Sequence, residues 1–273
     1  LVARRYIAGE NVEDAVNYVN SNEHRGHAFS VECMGESIRE RETALSETDI
    51  FLRLIDQLDD AGRVATISFD LTHIGALVDK SLALDNALRI AAAADRASSH
   101  VMISAEGSDR TDLVLDLFER VSDAFPATGI TIQARLHRSI DDLARVMQRP
   151  GAIRLVKGAF LELNSVAYAR ESGQLIEAYL EMADTLTRAS HRVNFATHDA
   201  DLIHRLKVAF ADRLRGDSVE FEMLQGLGTT LLDGLRAEGY RTREYSVFGT
   251  EWWLYVLNRI AEQPERVYLA LTD

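Results

Sequence analysis

The sequence predicts an α/β chain folded as a single distorted (β/α)8 barrel of the TIM type, and three observations carry that expectation. Short β-rich runs alternate with longer segments of helical periodicity, as parallel βαβ units do. At 273 residues the chain can bury one large core, and single-domain barrels commonly run to roughly 250 residues. No glycine fingerprint follows an early strand, so the rival open sheet with a dinucleotide site has little support.

Taken in order, residues 1–26 are expected to form a helical lead-in to a barrel that occupies 1–273. The strands are HAFSVEC at 27–33, VATISFDL at 64–71, HVMISAE at 100–106, GITIQAR at 129–135, AIRLVKG at 152–158, RVNFAT at 192–197, SVEFEML at 218–224 and REYSVF at 243–248. Between them DNALRIAAAADRA, TDLVLDLFERVSDAF, SIDDLARVMQ and GQLIEAYLEMADTLTRA place apolar residues at helical spacing. A final segment, TEWWLYVLNRIAE, puts Tyr255, Asn258, Arg259 and Glu262 on one helix face at offsets of three, four and seven.

Composition narrows the class. Hydrophobic residues are 47% and charged residues 27%, with 3 prolines and no low-complexity tract, which excludes a disordered chain. No apolar run approaches the ~20 residues that span a bilayer, and LVARRYIAGENVEDAV lacks a signal-peptide core, so a cytoplasmic location is expected. The sole cysteine, Cys33, excludes an internal disulfide and a cysteine zinc site. Lys plus Arg number 30 against 43 Asp plus Glu, and the resulting net charge of −13 repels nucleic acid and acidic membranes. A small-molecule partner is the expectation.

Barrel chemistry sits where strands end and helices begin. Those ends carry Glu32, Asp70, Glu106, Gln133, Arg135, Arg154, Lys157, His198, Glu222 and Tyr245. In IRLVKGAF, Arg154 and Lys157 flank a Gly-Ala step that lets backbone approach a large anion. THD at 197–199 opens a helix, whose N-terminus favours phosphate. Each feature also has a plainer account: a buried strand with charges reaching solvent, a capping histidine, a solvated helix pair at Arg259 and Glu262.

The motifs GESI, IQARLHRS, RLVKGAF, ATHDADLI, FEMLQGLG, REYSVFGTEWWLY and NRIAE, in this order and spacing, resemble those of the FAD-dependent proline dehydrogenases. The likeness is to the monofunctional bacterial type and to the proline dehydrogenase domain of bifunctional proline utilisation flavoproteins, over nearly the whole chain. It implies FAD as cofactor and oxidation of a C–N bond by hydride transfer to flavin N5. It also implies that Gln133 and Arg154 contact the isoalloxazine, and that Val156, Lys157, Gly158 and Ala159 line the cofactor. Thr197 and His198 are implied to hold its phosphate and adenosine portion, and Glu262 its ribose. Phe160 stands where the family has tyrosine.

The substrate side departs from the pattern. By the resemblance, Asp70 replaces a lysine, Ser104 an aspartate, and Asn258-Arg259 an Arg-Arg pair that grips the proline carboxylate. Each charge-assisted hydrogen bond is worth about 1.5 to 3 kcal/mol, so losing two cations weakens proline binding by roughly 3 to 6 kcal/mol. Asp70 adds repulsion of about 4 kcal/mol at ~4 Å and an effective dielectric of 20, unless a proton intervenes. Tyr245, Leu224, Tyr255 and Arg259 remain as pocket walls.

Three readings stay open: a flavoenzyme acting on an amine other than free L-proline, an ordinary L-proline dehydrogenase forming pyrroline-5-carboxylate, and a catalytically silent flavin- or partner-binding barrel. The electron acceptor, whether quinone, oxygen or a redox protein, is not specified by the sequence. A metal-dependent barrel using Asp70, Glu106 and His198 is a weaker fourth idea, because no compact ligand motif is present.

Overall fold

Eight parallel strands pair in chain order, and the eighth closes on the first, in a computed structural model that describes residues 5–35 and 37–250. The strands are β1 (Ala28–Cys33), β2 (Thr66–Phe69), β3 (His100–Ile103), β4 (Gly129–Gln133), β5 (Ile153–Val156), β6 (Val193–Ala196), β7 (Val219–Leu224) and β8 (Thr242–Phe248). Closure is the longest pairing, from Ala28↔Arg243 to Cys33↔Phe248. The α-helices are α1 (Val12–Asn22), α2 (Arg41–Asp60), α3 (Lys80–Arg96), α4 (Thr111–Ala124), α5 (Ser139–Val146), α6 (Gly173–Arg188), α7 (Ala200–Phe210) and α8 (Thr229–Ala237).

Strand alternation divides the molecule into two chemically distinct layers. One set of side chains, including Val31, Ile67, Phe69, Val101, Ile103, Leu155, Phe195 and Phe221, is buried against the helices. Each such side chain contributes about 1.5 to 3 kcal/mol on leaving water, so the apolar core lies between barrel and helices. The alternate set turns inward and is polar: Arg154 on β5 reaches Ser30 on β1, Ser68 on β2 and Glu222 on β7 across the barrel. Barrels ordinarily fill this space with branched apolar side chains. Here hydrogen bonds fill it.

The helices follow from apolar rows and capping side chains. On α2, Ala44, Thr48, Phe51, Leu54, Ile55 and Leu58 recur every three or four residues and are buried. Asn11, Asp79, Ser172 and Asp199 accept amide hydrogen bonds at the starts of α1, α3, α6 and α7.

Some boundaries differ from expectation. Among the described residues of the lead-in, the α-helix covers Val12–Asn22 and a 3-10 turn follows at Glu23–Arg25. Before it, Ala8 N–H bonds the Val247 carbonyl at 2.8 Å and Gly9 forms a bridge with Phe248, so this stretch extends beside β8. Asp79 starts α3 five residues earlier than the apolar run suggested, because its carboxylate accepts from Ser81 and Leu82. Asp70, Ser104, Glu106, Arg135, Lys157 and His198 lie just beyond the strands, where backbone leaves the ladder and enters the mouth loops. The segment from 251 onward, with Tyr255, Asn258, Arg259 and Glu262, lies outside the described residues.

Candidate active site

The middle of the barrel is tied by one buried ion pair. Arg154 donates Nε to Glu222 Oε2 at 2.9 Å and Nη2 to Oε1 at 2.8 Å. Its Nη2 also reaches Ser30 Oγ at 3.2 Å and Ser68 Oγ at 3.0 Å, while Asn194 Nδ2 and Ser30 Oγ donate to Glu222. Burial alone would raise the Glu222 carboxyl, but the Arg154 charge overrides it and holds the group below its ordinary value. Burial likewise works against the guanidinium, and Glu222 reverses that sign too. The Arg154 guanidinium lies over the Tyr245 ring, its carbon 4.7 Å from the centroid.

Above this layer, the mouth is acidic. The Tyr245 hydroxyl donates to Glu32 Oε2, and Ser104 Oγ donates to the same oxygen at 3.3 Å. Asp70, half-buried at the end of β2, lies close enough for its charge to help raise the Tyr245 hydroxyl, after burial and Glu32. Glu32 itself is held above its ordinary 4.5, chiefly by burial, although Tyr245, Arg154 and Ser104 oppose the shift.

This shift has a consequence for stability. The folded chain binds the Glu32 proton more tightly than the unfolded chain, so stability is lost as pH rises from 4.5 through the folded value. Glu32→Gln keeps an acceptor for Tyr245 and removes that titration. Chemical unfolding at a series of pH values above 4.5 is expected to show a flatter profile for the variant; matching slopes would refute a proton held at Glu32.

Around the rim stand the residues expected to hold a flavin. Gln133 donates Nε2 to the Glu106 carbonyl at 2.8 Å, while its buried Oε1 has no partner. Glu106 Oε1 accepts from Thr72 N–H at 2.9 Å, and burial raises its carboxyl. Arg135 donates Nη1 and Nη2 to the Phe160 and Tyr168 carbonyls and leaves Nε buried without a partner. Between these two side chains runs the Gly158 backbone at φ +107°. A Cβ there would come within 2.7 Å of Arg135 Cγ and 3.1 Å of Gln133 Oε1, so only glycine fits. Val156 and Lys157 are half-buried beside it, and Ala159 is exposed.

Asp199 Oδ1 takes the Asp201 and Leu202 amides, so the helix N-terminus expected to meet phosphate is already capped by a carboxylate. Lys157 Nζ pairs with the other Asp199 oxygen. Burial works to raise Asp199, but Lys157 and the amides leave it below its ordinary value. Thr197 Oγ1 accepts from Asp199 N–H at 3.2 Å. His198 Nε2 accepts from Leu224 N–H at 2.9 Å, so the ring is the Nδ1–H tautomer and ties the ends of β6 and β7 together.

Tyr245, Asp70 and Ser104 are thus brought to one mouth, with Arg154 in the layer beneath and Leu224 level with Tyr245 in the β7–β8 register. Asp70, Glu106 and His198 do not gather as a metal group among the described residues. Sequence reasoning passed over Ser30, Ser68 and Asn194, and noted Glu32 and Glu222 only as strand ends. Their signal was the polar residue at every second strand position, which is unexpected in a barrel interior.

Comparison with known proteins places this geometry. A family model described as proline dehydrogenase matches residues 15–260. The proline dehydrogenase of Deinococcus radiodurans is 33% identical over 269 residues, covering 96% of this chain and 86% of that protein. Proline dehydrogenase 1 of Bacillus subtilis subsp. natto is 29% identical over 272 residues, covering 99% and 90%. Among solved structures, proline utilization A from Bdellovibrio bacteriovorus, inactivated by N-propargylglycine, superposes with a TM-score of 0.87 at 20% identity. That match covers 95% of this chain and 32% of the other, so the chain spans about a third of that polypeptide. A family match over most of the chain, a relative above 30% identity and a shared closed barrel agree: the chain belongs to the proline dehydrogenase family of FAD-dependent oxidoreductases acting on CH–NH bonds.

Proposed function

We propose that this protein binds FAD and oxidises the C–N bond of an amine other than free L-proline, with a cationic part of the substrate facing Asp70. The observation that carries the reading is the acidic mouth: Glu32 and Asp70 both act on Tyr245, at the rim where the resemblance expects a lysine at 70 and an aspartate at 104. A carboxylate brought to this rim meets like charge, whereas an ammonium meets a favourable field.

The residues at the rim fit a flavin. Gln133 Oε1 and Arg135 Nε are buried polar atoms with no partner among the described residues, and Gly158 keeps the backbone between them free of a side chain. Lys157 supplies a cation at the same edge. When bound, the flavin supplies the two-electron acceptor for a hydride leaving the substrate carbon. Asp70 orients the amine by charge, Leu224 offers an apolar wall, and Tyr245 closes the floor above Arg154. Glu32, whose carboxyl burial pushes above its ordinary value, accepts from the Tyr245 hydroxyl and holds it in place.

The test is anaerobic. Purified protein is expected to be yellow or to become yellow on reconstitution with FAD, to resist bleaching by L-proline, and to bleach with amines that carry a cation or a masked carboxylate. Asp70→Asn is expected to weaken those amines while leaving FAD uptake intact. A protein that stays colourless after reconstitution overturns the flavin assignment. Rapid bleaching of the unaltered protein by L-proline overturns the altered substrate and favours an ordinary proline dehydrogenase.

A further inference from the structure

Outside the barrel, against α2, a second cluster has no part in the flavin reading. Cys33 ends β1 with its side chain on the helix-facing side, opposite in sense to its neighbour Glu32, which faces the mouth. Glu47 comes from α2 and His73 from the loop after β2. The thiol sulfur, a Glu47 oxygen and a His73 ring nitrogen lie within 4.8 Å of one another. We infer that Cys33, Glu47 and His73 form a binding site for a divalent transition-metal ion, zinc by donor set, separate from the catalytic mouth.

Donor chemistry argues for zinc. Thiolate, imidazole and carboxylate are the zinc donors, with bonds of about 2.0 to 2.3 Å, so three ligand atoms at this separation need only a small inward movement to share one ion. Magnesium and calcium prefer oxygen alone and are disfavoured by a thiolate and an imidazole. The sequence, with one cysteine, excluded a zinc site built of cysteines; folding adds the nitrogen and oxygen ligands from α2 and the β2–α3 loop.

Two observations point to a cation here. His73 is fully buried, and its Nδ1 has no hydrogen-bond partner among the described residues. Nε2–H donates to Glu47 Oε2 at 2.8 Å, which fixes the tautomer and leaves the lone pair on Nδ1, the nitrogen that can offer it to a metal. Gly35 packs against the edge of this ring: a Cβ there would come 2.3 Å from His73 Nε2, so a residue with a side chain would displace the imidazole. A cavity of about 250 Å³ opens on the same three side chains, and among its charged lining residues Glu10, Glu13 and Glu47 outnumber Arg53. That space can hold a water as the fourth ligand. A bound ion would join β1, α2 and the β2–α3 loop behind the acidic mouth, and so act on the positions of Glu32 and Asp70 through the backbone.

The experiment uses the full chain, stripped with chelator and then titrated with zinc and, separately, with cobalt. One zinc per chain is expected, together with a thiolate-to-cobalt charge-transfer absorption. Cys33→Ser is expected to abolish that absorption, and His73→Gln and Glu47→Gln to weaken zinc at least tenfold against a chromophoric chelator. Thermal unfolding in chelator identifies any variant that fails to fold. For such a variant, metal-protected alkylation of Cys33 in the unaltered chain gives the second readout. Zinc uptake that is unchanged in all three variants, or a Cys33 alkylation rate indifferent to zinc, assigns the binding to surface carboxylates and overturns the site. FAD uptake is read in parallel, so failure here leaves the flavin reading untouched, and the reverse.

Discussion

A chain carrying Asp70→Lys, Ser104→Asp and Asn258→Arg together is expected to reduce its flavin with L-proline roughly 10²- to 10⁴-fold more efficiently in kcat/KM than the unaltered chain. Two regained charge-assisted hydrogen bonds at about 1.5 to 3 kcal/mol each give that range when both act in the transition state. The three changes belong together because Ser104 Oγ already contacts Glu32 at 3.3 Å. An aspartate at 104 alone places a second carboxyl beside Glu32, and a lysine at 70 supplies the compensating charge. The single variants are therefore expected to be less stable than the triple variant. Anaerobic stopped-flow bleaching of the flavin measures the recovery. A triple variant that folds, binds FAD and ignores proline would remove these positions as the source of exclusion.

Glu222→Gln is expected to lower the unfolding free energy by about 3 to 5 kcal/mol, because it leaves Arg154 charged and buried without its counter-ion. Against a total of about 5 to 15 kcal/mol for a typical domain, that loss is large. For a chain of this size it corresponds to a fall in Tm of about 10 °C. Asn194 and Ser30 lose part of their acceptor as well. Replacing both partners by apolar residues, as Arg154→Met with Glu222→Leu, is expected to recover most of the stability, since the desolvation cost goes with the charges. Calorimetry on both variants decides the matter. A Glu222→Gln protein that melts with the unaltered chain would show that the pair does not hold the barrel interior.

Much of the architecture was legible in the sequence for a local reason. Runs such as FSVEC at 29–33 and IRLV at 153–156 bring apolar residues to alternate positions between helical segments, and both properties are set by neighbours in the chain. Boundaries were less legible where a cap or a tertiary bond decided them. Asp79 extends α3 through its carboxylate, and Ala8 and Gly9 run beside β8 because Val247 and Phe248 offer them backbone partners.

The candidate site divides in the same way. The sequence by itself determined which residues reach the mouth, since strand order and the rule for strand ends put Asp70, Gln133 and Tyr245 there, and the family resemblance added Ser104. Only the tertiary structure decided what each one touches. Arg154 is bound to a carboxylate 68 positions away, Tyr245 donates to Glu32 across the β1–β8 closure, and Asp199 caps the helix that was expected to meet phosphate. The physical reason is that periodicity fixes a side chain's face, whereas charge pairing and burial depend on which strands the closed barrel sets opposite one another.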